Sequence, residues 1–128
     1  MKSHVLVAED DPFMRKILRQ TLKDDFEVTT TENAIEALSW MEAGNPVDII
    51  LSDIQMPHMD GKDLLGMLRA SPRFQKIPII ILSGVSDSDT RINFLKLGAD
   101  DYIVKPFNPN EVKAKISSVL RRTEANNA

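Results

Sequence analysis

The 128-residue chain contains no cysteine, which excludes disulfides, thiolate metal sites and cysteine nucleophiles and agrees with a reducing cytoplasm. It also has no apolar run close to the roughly 20 residues needed to cross a bilayer. Met1 to Val7 lacks the long apolar stretch of a signal peptide. A soluble, cytoplasmic protein is expected. Charge of either sign is not in strong excess: 16 basic against 19 acidic residues leave a formal charge of −3. Such a balance produces no field that draws nucleic acid or an anionic membrane, so neither is expected to bind this chain directly. Internal repeats and low-complexity segments are missing too. Only Thr123 to Ala128 loses the hydrophobic pattern, which predicts a flexible tail or the start of a linker after a domain spanning residues 1–122. At 42% hydrophobic the chain can bury one sizeable core, with no room for a second domain.

What the chain does have is alternation. Short apolar runs rich in β-branched residues alternate with longer segments whose apolar residues recur every three or four positions, the mark of strands followed by helices. The predicted strands are Val5 to Ala8, Phe26 to Thr30, Val47 to Leu51, Pro78 to Leu82 and Tyr102 to Val104. Helix 1 shows Met14, Ile17, Leu18, Thr21 and Leu22 on one face; helix 2 shows Ile35, Leu38 and Met41 and ends near Gly44. Helix 3 lies around Leu64 to Leu68, helix 4 carries Ile92 and Leu95 and stops at Gly98, and helix 5 repeats Val112, Ile116, Val119 and Leu120. Strands 3 and 4 are nearly continuous apolar runs, as central parallel strands covered on both faces should be. The expected architecture is α/β, a doubly wound five-stranded parallel sheet. Ligands of such sheets bind beyond the carboxyl ends of the strands.

Those ends are chemically distinctive. Strand 1 is followed by Glu9, Asp10 and Asp11, strand 3 by Asp53, strand 4 by Ser83 and Gly84, and strand 5 by Lys105 and Pro106. Two carboxylates about 4 Å apart at an effective dielectric near 20 repel by roughly 4 kcal/mol. A cluster of them therefore needs a cation, a proton or a neighbouring positive charge. Oxygen-only ligands favour a hard ion such as Mg²⁺, with one or two carboxylates, waters and a phosphate oxygen. A lysine, a divalent ion and a hydroxyl converging on one carboxylate would neutralise a phosphoryl group there, which points to an aspartyl-phosphate with Asp53 as nucleophile. Singly these residues have plainer explanations. Asp11 before Pro12 fits a helix N-cap, Glu9 and Asp10 fit loop acids, Ser83 and Gly84 fit a turn, Lys105 fits a surface ion pair and Tyr102 a partly buried sheet aromatic. Their joint placement at four strand ends favours the chemical reading.

The segments Val5-Leu6-Val7-Ala8-Glu9-Asp10-Asp11-Pro12, Leu51-Ser52-Asp53-Ile54-Gln55-Met56-Pro57-His58-Met59-Asp60-Gly61, Leu82-Ser83-Gly84 and Gly98-Ala99-Asp100-Asp101-Tyr102-Ile103-Val104-Lys105-Pro106-Phe107 closely resemble the receiver domain of two-component response regulators. The resemblance covers about Ser3 to Arg122. It implies the flavodoxin-like (βα)5 fold with strand order 2-1-3-4-5. It further implies that Asp53 accepts a phosphoryl group from a histidine kinase or histidine phosphotransfer protein, and that the domain switches an output domain or downstream effector without being a turnover enzyme. By the same resemblance Asp10, Asp53 and the carbonyl of Gln55 ligate Mg²⁺ directly and Glu9 reaches it through water. Lys105, in a cis Lys-Pro bond, and Ser83 contact the phosphoryl oxygens, Ser83 and Tyr102 form the switch, and Tyr102 alternates between outward and inward rotamers.

Some positions depart from the pattern. Glu9 replaces the commoner aspartate, and His58 stands where glycine is frequent, as an expected exposed loop residue. Gln55 and Val85 occupy positions that influence how readily water reaches the acyl phosphate. The end of the chain is similar to receivers that pair through helix 4, strand 5 and helix 5, where Asp101 and Lys115 could bridge two subunits, although Asn93 replaces a residue usually basic in that subgroup. The kinase is expected along Pro12 to Arg15 and at Pro106 and Phe107. Whether the chain is a stand-alone receiver or an excised one is left open by the sequence. A haloacid-dehalogenase-type phosphatase would place an Asp-x-Asp pair after strand 1, which Glu9-Asp10-Asp11 does not match. A non-phosphorylated binding module of this fold commonly lacks an acid or the lysine, and a flavodoxin would not place acids where a flavin phosphate binds.

Overall fold

A computed structural model describes residues 2–127 and shows five strands alternating with five helices. The strands are β1 His4–Ala8, β2 Glu27–Thr31, β3 Ile49–Asp53, β4 Ile79–Ser83 and β5 Asp101–Val104. The helices are α1 Pro12–Leu22, α2 Ala34–Glu42, α3 Gly61–Ala70, α4 Ser88–Lys96 and α5 Pro109–Asn127. All strand pairs are parallel, and their order across the sheet is β2-β1-β3-β4-β5. Among the described residues no helix is long and apolar enough to cross a membrane.

Strand periodicity decides where the core lies. Leu6, Ala8, Ile50, Ile79, Ile81 and Tyr102 face α2, α3 and α4, where they meet Ala37, Met41, Leu64, Leu68 and Phe94. The alternate set, Val5, Val7, Ile49, Leu51, Ile80, Leu82 and Ile103, faces α1 and α5 and packs on Leu18, Leu22, Val112, Ile116 and Val119. Both faces are therefore apolar, which is why the inner strands read as continuous hydrophobic runs.

Several boundaries differ from the expected ones for local reasons. Phe26 is buried but does not belong to β2, because its N–H closes the end of α1 on the Leu22 carbonyl. Strands β3 and β4 run two and one residues further than expected, so that Asp53 and Ser83 are the last residues of their ladders, paired with Leu82 and Val104. Pro78 has no N–H and sits just before β4, its carbonyl accepting from Ile50 N. Helix α2 turns Ala34, Ala37 and Met41 inward and leaves Ile35 47% exposed, in place of the expected Ile35-Leu38-Met41 stripe. In α4 only Phe94 is buried, while Ile92 and Leu95 face outward. Helix α5 continues through residues 123–127, the segment expected to be a loose tail; Ala128 lies outside the described residues.

One arginine closes the far end of the α3–β4–α4 layer. Arg69 donates from Nε and Nη2 to the Gly98 carbonyl (3.0 and 2.8 Å), from Nη1 to the Ile77 carbonyl (2.7 Å), and from Nη2 to Asp100 Oδ2 (2.9 Å). Asp100 in turn accepts from Ile79 N, the first residue of β4. Gly98 has φ +113, which ends α4 and brings its carbonyl onto the guanidinium. Truncation would remove the donor from the carbonyls of Gln75, Ile77 and Gly98 and leave Asp100 with only Ile79 N. Arg69→Ala is expected to lower unfolding stability by about 3 kcal/mol in urea titration, with Arg69→Lys recovering little because an ammonium cannot reproduce the fork. A loss below about 1 kcal/mol would show that the network is not what holds this end of the sheet.

Candidate functional site

The carboxyl ends of β1, β3, β4 and β5 open into a cavity of about 470 Å³ lined by Glu9, Asp10, Asp53, Gln55, Ser83 and Lys105, among others. The sheet order makes this possible. β3 is flanked by β1 and β4, so Asp53 lies between the Glu9–Asp10 loop and Ser83, while Lys105 reaches across from β5. Asp11 fulfils the plainer expectation: it is the N-cap of α1, its Oδ1 accepting from Phe13 N at 2.9 Å, with Pro12 at the first helical position.

Lys105 is the centre of the charge arrangement. Its Nζ lies 3.2 Å from Asp53 Oδ2 and 3.3 and 3.2 Å from the two oxygens of Glu9. The remaining Asp53 oxygen, Oδ1, accepts from Ile54 N at 2.7 Å. Burial, the neighbouring Asp53 charge and a shared hydrogen bond push the Glu9 carboxyl up to about 7, against the opposing pull of Lys105. For Lys105, burial acts downward, but the attraction of Glu9 and Asp53 outweighs it and holds the ammonium above its ordinary value. The extra methylene of Glu9 lets it reach Lys105 directly while it remains only 2% exposed.

One oxygen each from Glu9, Asp10 and Asp53 lies within 4.8 Å of the others. Oxygens bound at about 2.1 Å around an octahedral ion are about 3.0 Å apart when adjacent, so these three would draw in by up to about 2 Å to hold Mg²⁺. The donor set is all oxygen and anionic, which is the chemistry that a hard dication selects. Gln55 lines the same cavity.

Ser83 and Tyr102 are linked through the loop after β4. Ser83 Oγ accepts from Val85 N at 3.0 Å, and the Tyr102 hydroxyl donates to the Val85 carbonyl at 2.7 Å. Tyr102 is buried, packed near Phe94 with ring centroids 6.1 Å apart. The Lys105–Pro106 peptide is cis. Asp101 and Lys115, expected to bridge subunits, already pair within one chain at 3.3 Å. His58 is exposed with φ +71, a left-handed conformation that explains the preference for glycine there.

Two contributors escaped the reading of motifs as chemistry. A Cβ on Gly61 would collide with the Asp53 carbonyl oxygen, so a glycine is required where α3 starts against β3. Its place in Met-Asp-Gly was visible, but its contact with Asp53 was not. Arg15, within the segment Pro12 to Arg15 expected to meet the kinase, donates from Nη1 to the carbonyls of Glu9 and Asp10. An arginine on an amphipathic helix carries no signal for that direction.

The family model described as the response regulator receiver domain matches residues 5–117. A probable transcriptional regulator, ycf27 of Cyanophora paradoxa, is 41% identical over 96% of this chain and 50% of its own length. The sensor histidine kinase TmoS of Ectopseudomonas mendocina is 34% identical over 97% of this chain and 13% of its own. The chain thus spans about half the length of the ycf27 regulators it matches. Among solved structures, the receiver domain of the Francisella response regulator 1452 superposes with a TM-score of 0.87 at 33% identity, covering 94% of this chain and 98% of that one.

The Glu9 shift has a consequence for stability without divalent ions. Below about pH 4.5 Glu9 is protonated in both states; between about 4.5 and 7 the unfolded chain releases the proton while the folded one keeps it. Stability from this group therefore falls as pH rises across that window. In EDTA, Glu9→Gln is expected to flatten the fall in urea midpoint between pH 5 and 7.5. Parallel curves for the two proteins would remove Glu9 as its source.

Proposed function

From the premise that the chain belongs to the response regulator receiver domain family, we propose that Asp53 is its phosphoacceptor. The observation that carries the reading is the 3.2 Å contact between Lys105 Nζ and Asp53 Oδ2 beside the Glu9–Asp10 acids. The phosphoryl group passes from a phosphohistidine nitrogen of a histidine kinase or phosphotransfer protein to a carboxylate oxygen of Asp53. The P–N bond breaks as the P–O bond forms, and the histidine leaves as neutral imidazole after taking a proton.

Asp10, Asp53 and the Gln55 carbonyl are the proposed ligands of Mg²⁺, with Glu9 reaching it through water. When bound, the ion supplies positive charge to the phosphoryl oxygens. Lys105 would add a second positive charge at the acceptor, since its ammonium already rests against Asp53. Ser83 would exchange its contact with Val85 N for a hydrogen bond donated to the phosphoryl group. That exchange disturbs the loop on which the Tyr102 hydroxyl is anchored, and so links the acceptor to the outer face of β5.

A full reversal of a 1:99 equilibrium needs about 5.5 kcal/mol of differential interaction. One charge-assisted hydrogen bond contributes roughly 1.5 to 3 kcal/mol, so Ser83 must share the task with Lys105 and the loop. The domain is a signalling switch rather than a turnover enzyme. We assign it to the cytoplasm, acting on an output domain or effector, with the α4-β5-α5 face as the surface for a phosphorylation-dependent homodimer. Exposed Leu95 and Val104 supply apolar area there.

Incubation with radiolabelled acetyl phosphate and Mg²⁺ is expected to give a base-labile, hydroxylamine-sensitive label that Asp53→Asn abolishes. Undiminished labelling of that variant would place the chemistry elsewhere. Sustained turnover of p-nitrophenyl phosphate would instead identify a phosphatase.

A further inference from the structure

Arg15 has no part in the roles described so far, yet it touches the metal-facing loop more closely than any other cation on α1. Its Nη1 donates to the carbonyls of Glu9 at 2.8 Å and Asp10 at 3.0 Å. Both carbonyls lie past the end of β1: the last hydrogen bond to a neighbouring strand is from Glu9 N to the Thr31 carbonyl, and the carbonyls of Glu9 and Asp10 are held by Arg15 instead. The side chain is 18% exposed, whereas its second contact, 3.8 Å from Nη2, is to Glu32, 67% exposed. Exposed ion pairs of that kind contribute little. The side chain is therefore held by two successive backbone carbonyls rather than by its salt bridge.

A planar guanidinium bonded to both carbonyls restrains the peptide between residues 9 and 10, from which the two carboxylates project. We infer that Arg15 is a positioning residue, clamping the Glu9–Asp10 backbone in the conformation that presents both carboxylates to a divalent cation. This rests on the metal-assisted phosphoacceptor reading of the site. Groups that orient ligands without touching the metal commonly change its affinity by 10- to 100-fold.

Charge and geometry act in opposite directions here, which makes the role separable. A guanidinium beside a cation site repels the cation, so if Arg15 acted only through charge, its removal would tighten Mg²⁺ binding. If it acts as a clamp, removal weakens binding, because the loop must then be ordered when the ion arrives. Both bonds leave Nη1, whose two N–H groups are fixed in the guanidinium plane; lysine keeps the charge on a freely rotating ammonium, so it repels the cation as arginine does but restrains the peptide less.

The test is the Mg²⁺ dependence of acetyl-phosphate labelling in the full chain, for wild type, Arg15→Ala and Arg15→Lys. The half-saturating Mg²⁺ concentration is expected to rise about tenfold in Arg15→Ala and to rise also in Arg15→Lys, with labelling at saturating Mg²⁺ within about twofold of wild type. An unchanged or lower half-saturating concentration in Arg15→Ala overturns the inference. So does wild-type behaviour of Arg15→Lys, or a loss of maximal labelling at unchanged half-saturation. Circular dichroism without Mg²⁺ checks folding, and if Arg15→Ala does not fold, Arg15→Lys decides alone. Should wild type take no label, the phosphoacceptor reading fails by itself. Mn²⁺ binding followed by electron paramagnetic resonance then judges Arg15: weaker binding in the folded variants supports the clamp, and equal or tighter binding refutes it.

Discussion

The ammonium of Lys105 lies between the carboxylates of Glu9 and Asp53, and the rest of the site is arranged around that contact. Without it, acids from two strand ends would face each other with no counter-charge among the described side chains lining the cavity. The lysine follows the end of β5, two strands away from Asp53 in the sheet, and its long stem brings the ammonium to the acceptor. Glu9, buried and close to Asp53, holds its proton up to about pH 7, which eases the repulsion further. The site is thus compensated in part but remains anionic at Asp10, and a dication fits that remaining charge.

The sheet makes such an arrangement stable because it carries no chemistry of its own. Its two faces are filled mainly by Leu, Ile and Val side chains, with Ala8 and Tyr102 among them, and Glu9, Asp10, Asp53, Ser83 and Lys105 lie at or beyond the last ladder residue of their strands. Ser83 and Tyr102 both engage Val85, one through its N–H and the other through its carbonyl. A change at the acceptor can therefore reach β5 through one short loop, while the core stays packed.

Much of this was legible from residue order. Alternating β-branched runs and helical periodicity implied five βα units, and the acids, serine and lysine at four strand ends implied a shared rim. Less legible were the helices with a mixed pattern. In α2 the small residues Ala34 and Ala37 approach the sheet and displace Ile35 outward, and in α4 a single aromatic, Phe94, takes the buried position that Ile92 and Leu95 suggested. Periodicity alone does not distinguish two overlapping stripes, because which one faces the sheet depends on the height and rotation of the whole helix.

Residue order alone carries the chemistry at the strand ends: carboxylates, the Lys105 ammonium, the Ser83 hydroxyl and no thiol, spaced along a repeating βα pattern. Tertiary structure alone decided how those groups meet. That Glu9 reaches Lys105 directly, that Tyr102 lies inward on the Val85 carbonyl, and that Arg15 turns back onto the Glu9 and Asp10 carbonyls are outcomes of side-chain direction. Direction is set by competition among burial, hydrogen bonding and charge in three dimensions, and residues 96 positions apart, such as Glu9 and Lys105, carry no local trace of it.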